Sequence, residues 1–117
     1  IDNEKIIKSL KIAQIDDFVS NLPETINTQV GENGSKLSGG QIQRLGIARA
    51  VYNDPEILIF DEASSSLDGD TEERMINEIS KISINKTIVI VSHKKSALKY
   101  CNEIYSLEDK FLIKNEK

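Results

Sequence analysis

Three stretches of the sequence carry residue types suited to chemistry. Asp61-Glu62 closes the apolar run Ile57-Leu58-Ile59-Phe60. Adjacent carboxylates at a strand end offer the hard oxygen ligands that Mg²⁺ prefers, and a carboxylate can take a proton from an attacking water. The same letters fit a pair of solvated acids or a helix N-cap. A second apolar run, Ile88-Val89-Ile90-Val91, leads into Ser92-His93, the only histidine of the chain. Its imidazole is able to donate a hydrogen bond to an anionic ligand, although a single histidine also serves as a structural group. The third stretch is Leu37-Ser38-Gly39-Gly40-Gln41. Ser38 and Gln41 are three residues apart, the pattern of a capping box that opens a helix. Gly39 and Gly40 are poor helix formers. They leave backbone N–H groups uncovered at the positive end of a helix dipole, which is a surface for a phosphate oxygen. A capped surface helix with two glycines gives the same pattern.

The elements that must position these residues follow from periodicity. Residues 3–20 read as helix, with Ile6, Ile7, Leu10 and Ala13 at three- and four-residue spacing, and a further short turn spans 16–21 before Pro23. Residues 28–34, Thr-Gln-Val-Gly-Glu-Asn-Gly, are polar and glycine-rich and read as a loop. The helix opened by Ser38 runs to about Tyr52 and stops before Asp54-Pro55, burying Leu45, Ile47, Ala48 and Val51. Residues 57–60 and 87–91 are short β-branched apolar runs, the pattern of strands covered on both faces. Asp70-Thr71-Glu72-Glu73 reads as a second capping-box start, for a helix with Met75, Ile76, Ile79 and Ile82 on one side. Residues 94–101 read as helix, and 103–107 with 110–114 as a terminal strand pair. Strands alternating with helices imply an α/β fold with a mainly parallel sheet. In such sheets ligands gather beyond the carboxyl ends of the strands, where Asp61, Glu62, Ser92 and His93 fall.

Composition narrows the function classes. The 117 residues suffice for one core. Lys and Arg number 15 against 19 Asp and Glu, a net charge of −4, which argues against a general nucleic-acid binder. No apolar run approaches the roughly 20 residues that span a bilayer, and no amino-terminal stretch has the pattern of a signal peptide. A single cysteine, Cys101, cannot form an internal disulfide, and the expected compartment is cytoplasmic.

Taken in order, Leu37-Ser38-Gly39-Gly40-Gln41, Ile57 to Glu62, Ser65-Ser66-Leu67-Asp68 and Ile88 to His93 resemble the signature motif, Walker B, D-loop and switch histidine of an ATP-binding cassette (ABC) nucleotide-binding domain. The resemblance covers nearly the whole chain. It implies a partial P-loop NTPase (ABC ATPase) fold, α/β, with a mainly parallel sheet flanked by helices and a helical subdomain at the N-terminal end. Residues 1–53 would be that subdomain with the X-loop and signature helix, and 54–117 the C-terminal part of the ATPase core. No G-x-x-x-x-G-K-[ST] phosphate loop occurs, and the family's adenine-stacking aromatic and glutamine loop are also missing. The resemblance therefore implies the second half of a cassette, inactive alone, with a strand edge left open.

The roles that the resemblance implies are specific. Asp61 would hold Mg²⁺ through water, Glu62 would act as general base, and His93 would contact the γ-phosphate. Ser38, Gly39, Gly40 and Gln41 would bind the γ-phosphate of an ATP held by the opposite subunit, and Ser66 and Asp68 would cross the dimer interface. Residues 28–34 resemble the X-loop of ABC exporters, with Glu32 touching the coupling helices of a transmembrane domain. The implied partners are a second nucleotide-binding domain, as homo- or heterodimer, and that transmembrane domain, with no nucleic acid. The implied place is the cytoplasmic face of the inner membrane, the chain itself being soluble, and the implied activity is ATP hydrolysis coupled to export or lipid flipping. The alternative is a soluble cassette ATPase acting on nucleic acid or ribosomes.

Overall fold

A computed structural model of the chain describes residues 1–31 and 36–115. The elements, in order, are α1 (Asn3–Ile12), α2 (Asp16–Ser20), α3 (Gly39–Tyr52), β1 (Ile57–Asp61), α4 (Gly69–Ile82), β2 (Thr87–Val91), β3 (Ile104–Glu108) and β4 (Phe111–Asn115). Glu32 and the Asn33-Gly34 that ends the expected X-loop lie outside the described residues. No helix among the described residues is long and apolar enough to cross a membrane.

The helix expected over 3–20 stops at Ile12, and the further short turn expected over 16–21 is present as α2. Asp2 caps α1 by accepting from the N–H groups of Glu4 and Lys5. The helix ends at Ile12 because Gln14 adopts a left-handed conformation, φ 59°. That reversal turns Ala13 and Ile15 into the core, both almost wholly buried, before α2 starts. The apolar side of α1 packs on α3, whose Ile47, Ala48 and Val51 are buried as the spacing predicts. Arg44 fastens the two helical regions by donating to the Gln14 carbonyl at 2.9 Å.

β1 and β2 pair in parallel, in the register Ile57↔Thr87 through Asp61↔Val91. Leu58 and Phe60 face inward with Ile88 and Ile90, and join one core with the apolar residues of α1, α3 and α4. The expectation of strands covered on both faces fails here. Ile57 and Ile59 are 63% and 67% exposed, because β1 alternates buried and open positions and only its Leu58–Phe60 side meets the helices. Before β1, Lys86 donates to the Pro55 carbonyl at 2.8 Å and pairs with Asp54 at 2.6 Å, which fixes the level at which the two strands begin.

Two further expectations need correction. α4 is capped by Asp68, two residues before the expected cap Asp70, because the Asp68 carboxylate accepts from the Thr71 N–H. Residues 94–101 do not form an α-helix. A single 3₁₀ turn spans Lys95–Leu98, since the Lys94 N–H bonds the Ser92 hydroxyl and the Ser96 hydroxyl is drawn to Glu72. The terminal strand pair is present as the antiparallel hairpin β3–β4, one residue later than expected at each strand. Asp109 and Lys110 both take positive φ, the geometry of a tight two-residue turn. No residue of that hairpin joins the main core.

Candidate functional site

Parallel pairing brings the carboxyl ends of β1 and β2 to the same side, so the residues that follow each strand meet. Asp61 ends β1 opposite Val91, and its side is open to solvent. Glu62 continues the pairing by donating its N–H to the Val91 carbonyl at 2.9 Å, and then turns away with φ 53°. A left-handed conformation costs a non-glycine residue about 1–3 kcal/mol, and such outliers cluster at functional sites. The turn places the Glu62 carboxylate 3.4 Å from His93 Nε2. The imidazole is 98% exposed and the carboxylate 36%, so a ligand can reach both. Glu62 and His93 thus meet as a solvent-facing pair, and Asp61 is exposed at the adjoining strand end.

A second set forms around the start of α3. Ser38 accepts from the Gln41 N–H at 3.2 Å, and Gln41 Oε1 accepts from the Ser38 N–H at 2.9 Å, the complete capping box. Gly39 and Gly40 occupy the first turn, and that turn lies against the loop 62–68. A Cβ on Gly40 would stand 3.3 Å from the Ser66 carbonyl oxygen, and one on Gly39 would stand 3.8 Å from the Ser66 hydroxyl. Bare backbone is what lets the loop approach so closely. Asp68 closes the loop as the cap of α4, with Oδ1 accepting from the Thr71 N–H at 2.8 Å and Oδ2 from the Thr71 hydroxyl at 3.0 Å. These two bonds, the N–H first, hold the Asp68 carboxyl below its ordinary range. The loop itself connects the two sets, since it begins at Glu62 and ends at Asp68.

Gln43 is a functional candidate that the spacing of the sequence does not single out. Its amide nitrogen donates to the Ser65 hydroxyl at 2.7 Å and its oxygen accepts from the Ser66 N–H at 3.0 Å. No periodicity ties a helix residue to a loop more than twenty positions away, so only the folded chain displays this clamp. Among the described residues no group of three or more His, Cys, Asp and Glu gathers around a metal position. The donor set nonetheless fits Mg²⁺. That ion is held by one or two carboxylates with phosphate and water completing its shell, and Asp61 and Glu62 supply hard oxygens of that kind.

The sequence pattern of the ABC transporter family matches residues 2–65, more than half of the 117-residue chain. The chain belongs to the ABC transporter family. A leukotoxin export ATP-binding protein of Aggregatibacter actinomycetemcomitans is 45% identical to this ABC chain over 114 residues, covering 97% of the chain and 16% of the relative. An alpha-hemolysin translocation ATP-binding protein of Escherichia coli is 44% identical with the same shares covered. An ATP-dependent lipid A-core flippase of Cupriavidus pinatubonensis is 41% identical over 108 residues, covering 92% of the chain and 18% of the relative. In three dimensions the ABC chain matches a bacterial Atm1-family ABC exporter with ATP bound. The TM-score is 0.87 at 35% identity, covering 95% of this chain and 19% of that one. The ABC chain therefore spans 16–18% of the length of these curated relatives. Its fold is the expected partial P-loop NTPase fold, with helices around a small parallel sheet and an antiparallel hairpin.

Proposed function

We propose that this chain is part of the ATP-binding and ATP-hydrolysing domain of an exporter-type ABC transporter, working at the cytoplasmic face of the inner membrane. Residues 1–53 are its helical subdomain and signature helix, and 54–117 the C-terminal part of its ATPase core. The observation that most supports this reading is the Glu62–His93 pair at 3.4 Å, formed where two parallel strands end. The export and flippase names of the relatives support the exporter class over a soluble ATPase acting on nucleic acid or ribosomes. So does the net charge of −4, which gives no basic footprint for nucleic acid.

In this reading the substrate is ATP. Asp61 holds Mg²⁺, which when bound neutralises phosphate charge. Glu62 accepts a proton from the attacking water, and His93 donates a hydrogen bond toward the γ-phosphate. The Ser38 hydroxyl and the N–H groups of Gly39 and Gly40 face the γ-phosphate held by a second nucleotide-binding domain. The Ser38 oxygen already accepts from Gln41, which leaves its proton to donate. Gln41 keeps that turn in shape, while Ser66 and Asp68 meet the second domain across the loop. A transmembrane domain receives the resulting motion through residues 28–34.

The test is Glu62→Gln in the full-length protein that carries this chain. It lowers ATP turnover by at least ~10²-fold and traps the ATP-bound dimer, as expected for loss of a positioned acid–base group. Near-normal turnover removes Glu62 from this role. Without a G-x-x-x-x-G-K-[ST] loop, the 117-residue chain alone binds no ATP at micromolar strength. Calorimetric titration of the purified chain checks this, and a micromolar binding isotherm contradicts it.

A further inference from the structure

Glu72 and Lys94 are charged groups that the proposed chemistry leaves unused. Glu72 sits in the first turns of α4 and is 1% exposed. A carboxylate in that position is costly unless it is paired and hydrogen-bonded. Its partners come from the chain that follows β2. The Ser96 hydroxyl donates to Oε1, and the Lys94 ammonium stands 3.2 Å from Oε2. Burial alone pushes this carboxyl up, but the Ser96 and Ser64 hydroxyls and Lys94 outweigh it and hold the group below its ordinary range.

Lys94 does more than neutralise Glu72. Its ammonium also donates to the Ser64 carbonyl at 3.0 Å and to the Leu67 carbonyl at 3.3 Å. Three partners surround this ammonium, the two carbonyls through hydrogen bonds and Glu72 Oε2 through an ion pair. Two of them bracket Ser65 and Ser66, the loop residues that Gln43 ties to the first turns of α3. Lys94 is also the next residue after His93, and its own N–H is held by the Ser92 hydroxyl at 3.0 Å. One side chain therefore joins the histidine segment, the loop 64–67 and the buried carboxylate of α4. Simple neutralisation of Glu72 would require only the contact with its carboxylate.

We infer that Lys94, seated on Glu72, is a positioning residue that holds the loop Ser64–Leu67 and the neighbouring His93 in one arrangement, so that the Glu62–His93 pair and the glycine turn of α3 are presented together. The inference rests on the nucleotide-hydrolysing reading above. It is a claim about geometry at the reacting centre, where a displacement of about 1 Å can cost on the order of 10²-fold in rate.

The experiment measures ATPase kinetics and melting temperature of the full-length protein in four variants: Lys94→Met, Lys94→Arg, Glu72→Gln with Lys94→Met, and Glu62→Gln. Lys94→Met lowers kcat by about 10-fold or more and leaves KM for ATP within about twofold. It also lowers the melting temperature, because Glu72 is left buried without its counter-charge. Lys94→Arg, which keeps charge and several donors, restores most of kcat. The double variant removes both charges and recovers melting temperature, yet its kcat stays low because the two loop carbonyls remain unheld. Recovery of kcat together with melting temperature in the double variant overturns the inference and makes the pair merely structural. So does a kcat for Lys94→Met within about twofold of the parent. Glu62→Gln separates the two claims. If it lowers turnover while Lys94→Met does not, the positioning role alone is wrong; if it leaves turnover intact, the hydrolase reading falls and this inference with it.

Discussion

Gly40 and Ser66 meet backbone to backbone: a Cβ added at Gly40 would stand 3.3 Å from the Ser66 carbonyl oxygen. The first turn of α3 and the loop after β1 are thereby one surface, although twenty-five residues of chain separate them. The Gln43 clamp on Ser65 and Ser66 keeps that surface closed.

This contact predicts different outcomes for two glycines of the same helix. Gly46 has nothing within 4 Å of its missing Cβ. Gly46→Ala therefore stabilises the chain by about 0.5–1 kcal/mol, the usual gain for alanine inside a helix. Gly40→Ala forgoes that gain, because its neighbour is a backbone carbonyl and the loop must shift to admit a methyl group. Denaturant unfolding of the two variants checks this, and equal stabilisation by both shows that the loop gives way freely.

Asp68 makes the start of α4 sensitive to acid. Its folded carboxyl is held below the ordinary value of 3.8, first by the Thr71 N–H and then by the Thr71 hydroxyl. A depressed value means that the contribution is fully present above 3.8 and is lost as pH falls through the lower folded value. Asp68→Ala accordingly lowers the melting temperature near neutral pH, by loss of the cap, and by less in strong acid. Thermal melts of both proteins between about pH 7 and about pH 2 measure the difference. A difference that does not shrink toward acid shows that the Asp68 charge contributes nothing.

Much of this arrangement is legible in the linear chain because it is local. Ser38 and Gln41 announce a capping box by their spacing, and the structure forms both of its bonds. The apolar runs before Glu62 and before Ser92 announce strands, and parallel pairing then brings Glu62 and His93 together. What the chain hides is set by distant partners. The break at Gln14 follows from the burial of Ala13 and Ile15, which periodicity alone does not separate from a continuing helix. Asp68 and Asp70 both suit a cap, and the Thr71 contacts decide between them. The Ser96 hydrogen bond to Glu72 and the Lys94 N–H bond to Ser92 hold a single tight turn where a helix is expected, and no rule of spacing links Ser96 to Glu72.

The central claim is that the glycine turn of α3 and the acid pair after β1 serve the same nucleotide machinery from opposite subunits. The most direct measurement is a structure of the full-length protein, carrying Glu62→Gln, with ATP and Mg²⁺ bound. The account predicts the Ser38 hydroxyl and the Gly40 N–H within hydrogen-bond reach of the γ-phosphate bound to the other subunit, while Asp61 and His93 face the nucleotide of their own. An ATP-bound dimer in which Ser38 and Gly40 lie far from both γ-phosphates would contradict it.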